Sequence, residues 1–159
     1  MFGNIVRLVI CVATCLAAGG LGVAFVGGRN LSGWYAGLNK PWFNPPGWVF
    51  GPVWTALYVL MGIAAFLVWH RGIGRRPVQI ALALFALQLV LNALWTPLFF
   101  GWHRIGAALV DIVLLWLAIL ATILAFRRVS NPAALCLYPY LAWVTFATVL
   151  NASLWWLNR

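Results

Sequence analysis

The chain has 159 residues, of which 65% are hydrophobic and 7% are charged. Soluble domains carry about 25% charged residues, so this composition excludes an ordinary soluble domain. The formal net charge of +9 comes from basic residues that stand singly or in short groups between long apolar runs. No soluble basic face is available for nucleic acid. We therefore expect a protein embedded in a lipid bilayer, with no nucleic-acid partner.

Five apolar runs are each long enough to cross a hydrocarbon core about 30 Å thick. They cover residues 4–27, 48–69, 78–99, 105–126 and 133–157. The sequence therefore predicts an all-α polytopic membrane protein, with a single domain over residues 1–159 that forms a bundle of five transmembrane helices. The first run exceeds the apolar region of a usual signal peptide, so we expect it to be retained as a helix.

The connections between these runs differ in length. Three are short, which predicts that consecutive helices pack as antiparallel neighbours: residues 70–77, 100–104 and 127–132. The first connection, residues 28–47, is much longer and is rich in Trp, Asn, Gly and Pro. Loops of that length are usually functional or disordered, and Trp34 and Trp42 are costly to leave in water. We expect a structured loop between the first two helices that acts as a lid.

Basic residues at the ends of the runs predict an orientation. If every run crosses the membrane, two groups form on opposite sides: Arg7, Arg71, Arg75, Arg76, Arg127 and Arg128, against Arg29, Lys40, Arg104 and Arg159. The richer side is cytoplasmic under the positive-inside rule. This predicts an N-terminus on the cytoplasmic side.

The 11 Trp residues are unevenly distributed. In the five-crossing arrangement, eight lie at or near the membrane face that carries the long loop: Trp34, Trp42, Trp48, Trp54, Trp95, Trp102, Trp155 and Trp156. An aromatic belt marks both interfaces, so the excess on one face favours a ligand site. Rigid rings with one N–H donor suit a flat, mostly apolar ligand such as a tetrapyrrole or a sterol. Arg29, Lys40 and Arg104 at the rim suit either carboxylates of such a ligand or lipid headgroups.

Polar side chains inside the runs have two interpretations. Gln88, Asn92 and Trp95 share one face of the third helix, because their spacings are four and three residues. On the fifth helix, Asn151 shares a stripe with Trp143. One interpretation pairs Asn92 with Asn151 across a helix interface. The other places both amides in a cavity wall, where they orient a ligand.

The remaining titratable residues do not indicate an enzyme site. Asp111, the one acid, lies about two turns into the fourth run, where carboxyl groups are costly and often functional. We favour a structural role for it, as a neutral acid or as a partner of Arg104. His70 and His103 occupy run ends that face opposite sides, and neither has another ligand at metal-binding spacing. We predict no metal site.

Five motifs in order resemble those of one known family. Trp-Tyr-Ala-Gly-Leu-Asn-Lys-Pro begins at Trp34, and Gly-Pro-Val-Trp begins at Gly51. Leu-Asn-Ala-Leu-Trp ends at Trp95, Ala-Leu-Val-Asp ends at Asp111, and Tyr-Pro-Tyr-Leu-Ala-Trp ends at Trp143. Over nearly the whole chain the sequence resembles the TspO/MBR family of tryptophan-rich sensory proteins and translocator proteins, also called peripheral benzodiazepine receptor-like.

The resemblance implies a five-helix bundle, often a homodimer, with a pocket that opens toward the long loop. Family members bind porphyrins such as protoporphyrin IX and haem, sterols such as cholesterol, and benzodiazepine-type ligands. They serve as receptors, sensors or transport proteins, and the resemblance implies no required cofactor. Matching the motifs residue by residue gives eight ligand-binding positions in this chain: Trp34, Trp54, Tyr58, Asn92, Trp95, Trp143, Ala147 and Leu150.

Three functions stay open, of which we favour a receptor or carrier for tetrapyrroles. The second is an enzyme that degrades protoporphyrin IX in a light- or oxygen-dependent reaction, with Trp34 and Trp143 as redox partners, as reported for some bacterial relatives. The third is a structural membrane protein whose tryptophans are only anchors. The sterol pattern of animal relatives needs a Tyr after Leu150, and its absence favours porphyrin over sterol. Ala107 stands where animal relatives carry Trp, which predicts a roomier pocket.

Overall fold

The computed structural model describes residues 2–27 and 33–159, and within them it contains helices and turns but no strand. The helices are α1 (Phe2–Val26), α2 (Gly33–Ala36), α3 (Phe50–Trp69), α4 (Arg76–Thr96), α5 (Ile105–Val129), α6 (Asn131–Leu135) and α7 (Tyr138–Leu157). A 3₁₀ turn at Gly47–Val49 precedes α3, and a π-helical turn at Pro97–Gly101 follows α4. Five segments are long and apolar enough to span a membrane: Gly3–Val26, Gly47–Trp69, Arg76–Gly101, Ile105–Val129 and Asn131–Leu157. The predicted fold class, an all-α polytopic membrane protein, is confirmed.

Two prolines explain where the helices depart from regular geometry. The sequence predicts one helix over 133–157, but the chain turns at residues 136–137, between α6 and α7. Pro139 has no amide hydrogen for the carbonyl of Leu135, and its ring clashes with that carbonyl in a continuous helix. Pro97 likewise breaks the ladder at the end of α4. The backbone forms a wider π-helical turn here, in which the Trp102 amide donates a hydrogen bond to the Pro97 carbonyl at 2.8 Å.

The helices joined by short connections are in contact, but to different extents. Helix α4 packs along α5, and α5 along α7, as the short connections predict. Helices α3 and α4 have a smaller contact, because α1 packs extensively against both. The contact predicted for this pair is therefore present, for example between Tyr58 and Asn92, but it is smaller than those of the other two pairs. Helix α6 and the start of α7 complete the bundle against α3.

Glycines let α1 approach its two neighbours closely. A Cβ atom on Gly62 of α3 would lie 2.5 Å from the Cα of Val12. A Cβ on Gly19 of α1 would collide with the ring of Tyr58, and one on Gly22 would lie 3.1 Å from the carbonyl oxygen of Ala93 on α4. Small residues stabilise helix contacts in lipid, where apolar burial between helices gives little driving force. Helix α1 therefore fits between α3 and α4 through close backbone contact.

Contacts between residues at the ends of different helices identify the two ends of the bundle. At one end, the guanidinium of Arg7 lies 5.8 Å from the ring centroid of Trp69. At the other end, the amide of Asn39 donates to the side chain of Asn158 at 2.9 Å, and the Asn158 side chain donates back to the Asn39 carbonyl at 2.9 Å. The loop between α1 and α3 is thereby tied to the C-terminal end of α7. This end is called the loop end below.

We expect Gly62→Ala to lower the free energy of unfolding by about 1–3 kcal/mol, because the new methyl group meets the backbone of Val12, which cannot move aside. The matched control is Gly20→Ala, in α1, where no described atom lies within 4 Å of the new Cβ. This control should be neutral or slightly stabilising, since alanine favours helix. Denaturant titration in mixed detergent micelles measures both variants. Equal effects would contradict the close contact between α1 and α3.

Candidate functional site

The described part of the long loop, residues 33–46, is structured. The Tyr35 hydroxyl donates to the Asn44 side-chain oxygen at 2.6 Å. Burial raises the pKa of the Tyr35 phenol, while this hydrogen bond acts in the opposite direction. The Lys40 ammonium donates to the carbonyls of Ala36 and Leu38 at 2.9 and 3.0 Å and lies 5.1 Å from the Tyr35 ring centroid. Side chains of the loop thus fix its own backbone over the end of the bundle.

Trp34 is one of the residues that pack α2 against the bundle. Its ring stacks on His103 with a centroid distance of 4.3 Å and meets Phe99 edge-on at 5.6 Å. Phe99 is 1% exposed and stacks on Trp95 at 4.9 Å. His103 has φ of 54°, a backbone region that few non-glycine residues adopt. The turn between α4 and α5 therefore holds its imidazole against the loop in a restricted conformation.

A second layer, deeper in the bundle, is a chain of four polar side chains. The Tyr58 hydroxyl donates to the Asn92 oxygen at 2.6 Å, and the Asn92 amide donates to the Tyr140 hydroxyl at 3.0 Å. Tyr140 in turn donates to the Gln88 oxygen at 2.9 Å. Tyr140 is fully buried and Gln88 is 1% exposed. This chain is called the polar chain below, and it links α3, α4 and α7.

Trp95 and Asn151 join the two layers. The Trp95 indole N–H donates to the Asn151 oxygen at 3.0 Å, and the Asn151 amide donates to the Ile105 carbonyl at 3.1 Å. The interpretation that pairs Asn92 with Asn151 is therefore wrong, because each amide is bonded to other groups. Asn151 instead orients the indole of Trp95 and connects α7 to the first turn of α5 through the Ile105 carbonyl.

Trp54 and Trp143 are two further aromatic side chains of the candidate site. Together with the rings that they contact, they are called the aromatic wall below. Trp54 stacks on Tyr58 at 5.5 Å and meets Tyr140 edge-on at 6.2 Å. Trp143 contacts the rings of Phe50 and Phe146 at 5.9 and 5.5 Å. Its indole N–H is buried and has no hydrogen-bond partner among the described residues. A buried donor without an acceptor costs about 1–3 kcal/mol, so this N–H is a polar group that the described residues leave unsatisfied.

The eight predicted ligand-binding residues are on α2, α3, α4 and α7, in the half of the bundle that includes the loop end. Trp54, Tyr58, Trp95, Trp143 and Ala147 pack against the main core. Leu150 is buried in the small core at the loop end, against which Trp34 and Trp95 also pack. Trp95 thus joins both groups. Trp34 and Trp143 contact different rings, and the cavity expected between the walls stays a prediction.

The exposed tryptophans, the buried acid and one rim cation are the other features that the sequence singles out. Trp42 and Trp48 are 95% and 76% exposed, so the expectation that the loop buries the ring of Trp42 is wrong. Asp111 is 5% exposed, and its Oδ2 atom has no hydrogen-bond partner in the described parts of the chain. Arg29, a predicted rim cation, lies outside the described residues.

Sequence reasoning missed Phe99 and His103 as partners of Trp34. Phe99 follows Trp95 by four residues, so helical spacing alone predicts that the two rings share a face. No sequence signal places His103 beside Trp34, because their contact depends on the path of the loop. Within residues 2–27 and 33–159, no three His, Cys, Asp or Glu side chains are close enough to hold a metal ion.

Comparison with known proteins identifies relatives over most of the chain. Residues 11–157 match the TspO/MBR family. The chain is 47% identical over 155 residues to the tryptophan-rich protein TspO of Chlorobaculum tepidum, which covers 98% of each chain. It is 48% identical over 137 residues to the translocator protein of Homo sapiens, with 85% of this chain and 80% of that protein covered. It is 47% identical over 126 residues to the tryptophan-rich sensory protein of Cereibacter sphaeroides, with 79% and 77% covered.

We expect Tyr140→Phe to destabilise the protein by about 1–3 kcal/mol, because it leaves the Asn92 amide and the Gln88 oxygen buried without their partner. Tyr138→Phe is the matched control. It removes the same atom two residues earlier on α7, from a side chain that is 42% exposed. Unfolding free energies measured in the same detergent decide the result. A loss of the same size in both variants would contradict the role of the polar chain.

We expect His103→Asn to loosen the loop, because it removes the ring that stacks on Trp34 while Asn still tolerates a positive φ. Ring stacking contributes about 0.5–1.5 kcal/mol, so amide hydrogen exchange at Gly37 and Leu38 should rise about two- to tenfold. The control is His70→Asn, at the opposite end of the bundle. Unchanged exchange in His103→Asn would mean that the stack does not hold the loop.

Proposed function

Because the chain belongs to the TspO/MBR family, we propose that it is a membrane receptor or carrier that binds tetrapyrroles such as protoporphyrin IX and haem. The proposed site lies beneath the long loop, against the aromatic side chains of α3, α4 and α7. The protein is an integral multi-pass membrane protein, so a porphyrin reaches this site from the bilayer or from the loop end.

The observation that supports this function best is the environment of Trp143. Its indole lies among Phe50 and Phe146, and its buried N–H has no partner among the described residues. Ring faces bind flat conjugated ligands by stacking, and an N–H donor within an apolar wall selects a ligand that offers an acceptor. A tetrapyrrole has both a wide π face and carboxylate oxygens.

The polar chain supports ligand orientation beside Trp54, whose ring stacks on Tyr58. The Tyr58 hydroxyl and the Asn92 amide are already hydrogen-bonded to each other, at 2.6 Å. A preformed arrangement loses little entropy when a ligand binds against it. Sterols and benzodiazepine-type ligands need fewer stacking contacts, and we rank them behind tetrapyrroles. The homodimer implied by family resemblance stays a prediction.

A titration with protoporphyrin IX in the dark tests the proposal. Tryptophan fluorescence of the detergent-solubilised protein should be quenched saturably. Trp143→Phe keeps an aromatic ring but removes the N–H donor, so its Kd should rise about three- to tenfold, the equivalent of one hydrogen bond. Trp69→Phe, at the opposite end of the bundle beside Arg7, is the control and should keep the Kd of the unmodified protein.

Linear, unsaturable quenching in the unmodified protein would contradict the proposal. So would an equal loss of affinity in Trp69→Phe, since binding would then not be confined to the proposed site. Repeating the titration under illumination separates binding from turnover. A new absorbing product that accumulates with time, and is absent in the Trp34→Phe, Trp143→Phe double variant, would instead support a porphyrin-degrading enzyme.

A further inference from the structure

A groove at the loop end lies outside the aromatic site. It has a volume of about 520 Å³ and is lined by Leu98, Trp102, Arg104 and Ala107. This volume is within the roughly 300–1,000 Å³ of small-molecule sites. We call it the boundary groove. Ala107 has the smallest side chain of the four, and a larger residue at that position would fill the groove.

The boundary groove adjoins, at Trp102, an apolar groove along α1 and α4. A second groove of about 270 Å³ shares Trp102 with it and is lined by apolar side chains such as Leu21, Phe25 and Leu94. These residues belong to the candidate spans Gly3–Val26 and Arg76–Gly101, whereas Trp102 and Arg104 lie between two spans. The polar mouth is therefore at the level of the membrane boundary, and the apolar groove is at the level of the acyl chains.

The guanidinium of Arg104 is available for an anion. At the loop end, Lys40 is bonded to loop carbonyls, and Arg159 lies 3.4 Å from the ring centroid of Trp156. Arg104 is exposed, and its guanidinium has no hydrogen bond, ion pair or ring contact with any described residue. The one acid of the chain, Asp111, is buried, so it does not neutralise this charge at the surface.

Depth and charge together indicate the ligand. Ala93, which lines the second groove, is nine residues before Trp102, on a path through the end of α4 and the π-helical turn. At about 1.5 Å per residue this path is about 13 Å long, which is a large part of one leaflet about 15 Å thick. A phospholipid has an anionic phosphate at one end and an apolar chain of this length at the other. Arg binds phosphate oxygens well through its planar array of donors, and Trp favours the headgroup level.

We propose that the boundary groove is a binding site for an anionic phospholipid. Its phosphate lies on Arg104, and one acyl chain follows Trp102 into the groove between α1 and α4. The site is separate from the tetrapyrrole site, so it does not depend on that proposal. It distinguishes anionic from zwitterionic headgroups through the positive charge of Arg104, which no described carboxylate offsets.

Native mass spectrometry of the full chain tests this site. The protein is released from detergent in the presence of phosphatidylglycerol or of phosphatidylcholine with the same acyl length. We expect the unmodified protein to retain one phosphatidylglycerol more tightly than phosphatidylcholine. Arg104→Gln should weaken this binding about fivefold, the effect of one basic residue at an anionic membrane surface. Arg128→Gln is the control, because it removes the same charge from the other end of α5. Ala107→Trp should reduce retention of both lipids by filling the groove.

Retention of phosphatidylglycerol in Arg104→Gln at the level of the unmodified protein would overturn the proposal. Equal losses in Arg104→Gln and Arg128→Gln would also overturn it, because the effect would then come from net charge. The same spectra report the mass of any dimer. If Ala107→Trp abolished a dimer and left lipid retention unchanged, the groove would be covered by a second copy of the chain, and the lipid proposal would fail. Unfolding temperatures of all three variants in lipid-free detergent establish that each is folded.

Discussion

Hydrogen bonding among buried polar groups is the constraint on which the bundle depends. In the hydrocarbon region no water is available, so each polar side chain needs a partner within the protein. The polar chain from Tyr58 through Asn92 and Tyr140 to Gln88 meets most of this need across three helices, and it leaves the Nε2 atom of Gln88 without a partner among the described residues. Each hydrogen bond forms only when both helices are rotated about their axes so that the phenol and the amide face the interior of the bundle. The polar chain therefore fixes which faces of α3, α4 and α7 carry the aromatic wall.

The aromatic layer at the loop end is built on this fixed base. Trp95 is held by Asn151, and Phe99 stacks on Trp95 one helical turn later. Phe99 then supports Trp34, which His103 covers from the other side. The loop is thus connected to the centre of the bundle through packed rings.

The sequence was sufficient to predict the class of fold. Hydropathy identifies five spans because apolar length in a bilayer has few other structural solutions. Helical spacing identified which residues share a face, as for Gln88, Asn92 and Trp95. It could not give the partner of each face, since that depends on the rotation and neighbours of each helix. Asn92 therefore meets Tyr140 on α7 and not Asn151.

Two other features depend on contacts that no local pattern encodes. The place of α1 between α3 and α4 follows from close approach at Gly62 and Gly22, and glycines on apolar helices are too common to identify one interface. The stack of His103 on Trp34 joins two turns about 70 residues apart. The break before α7 was in principle readable from Pro139, because proline lacks the amide that a continuous helix needs.

The central claim is that the aromatic wall beneath the loop is the binding site for a flat conjugated ligand. The most direct measurement is an experimental structure of the protein with protoporphyrin IX. We expect the macrocycle to lie against Trp54 and Trp143, with an acceptor atom within hydrogen-bond distance of the Trp143 indole nitrogen. The claim would be contradicted if density for the macrocycle lay outside the bundle, for example along Trp102 on the lipid-facing surface, while the rings beneath the loop were unchanged.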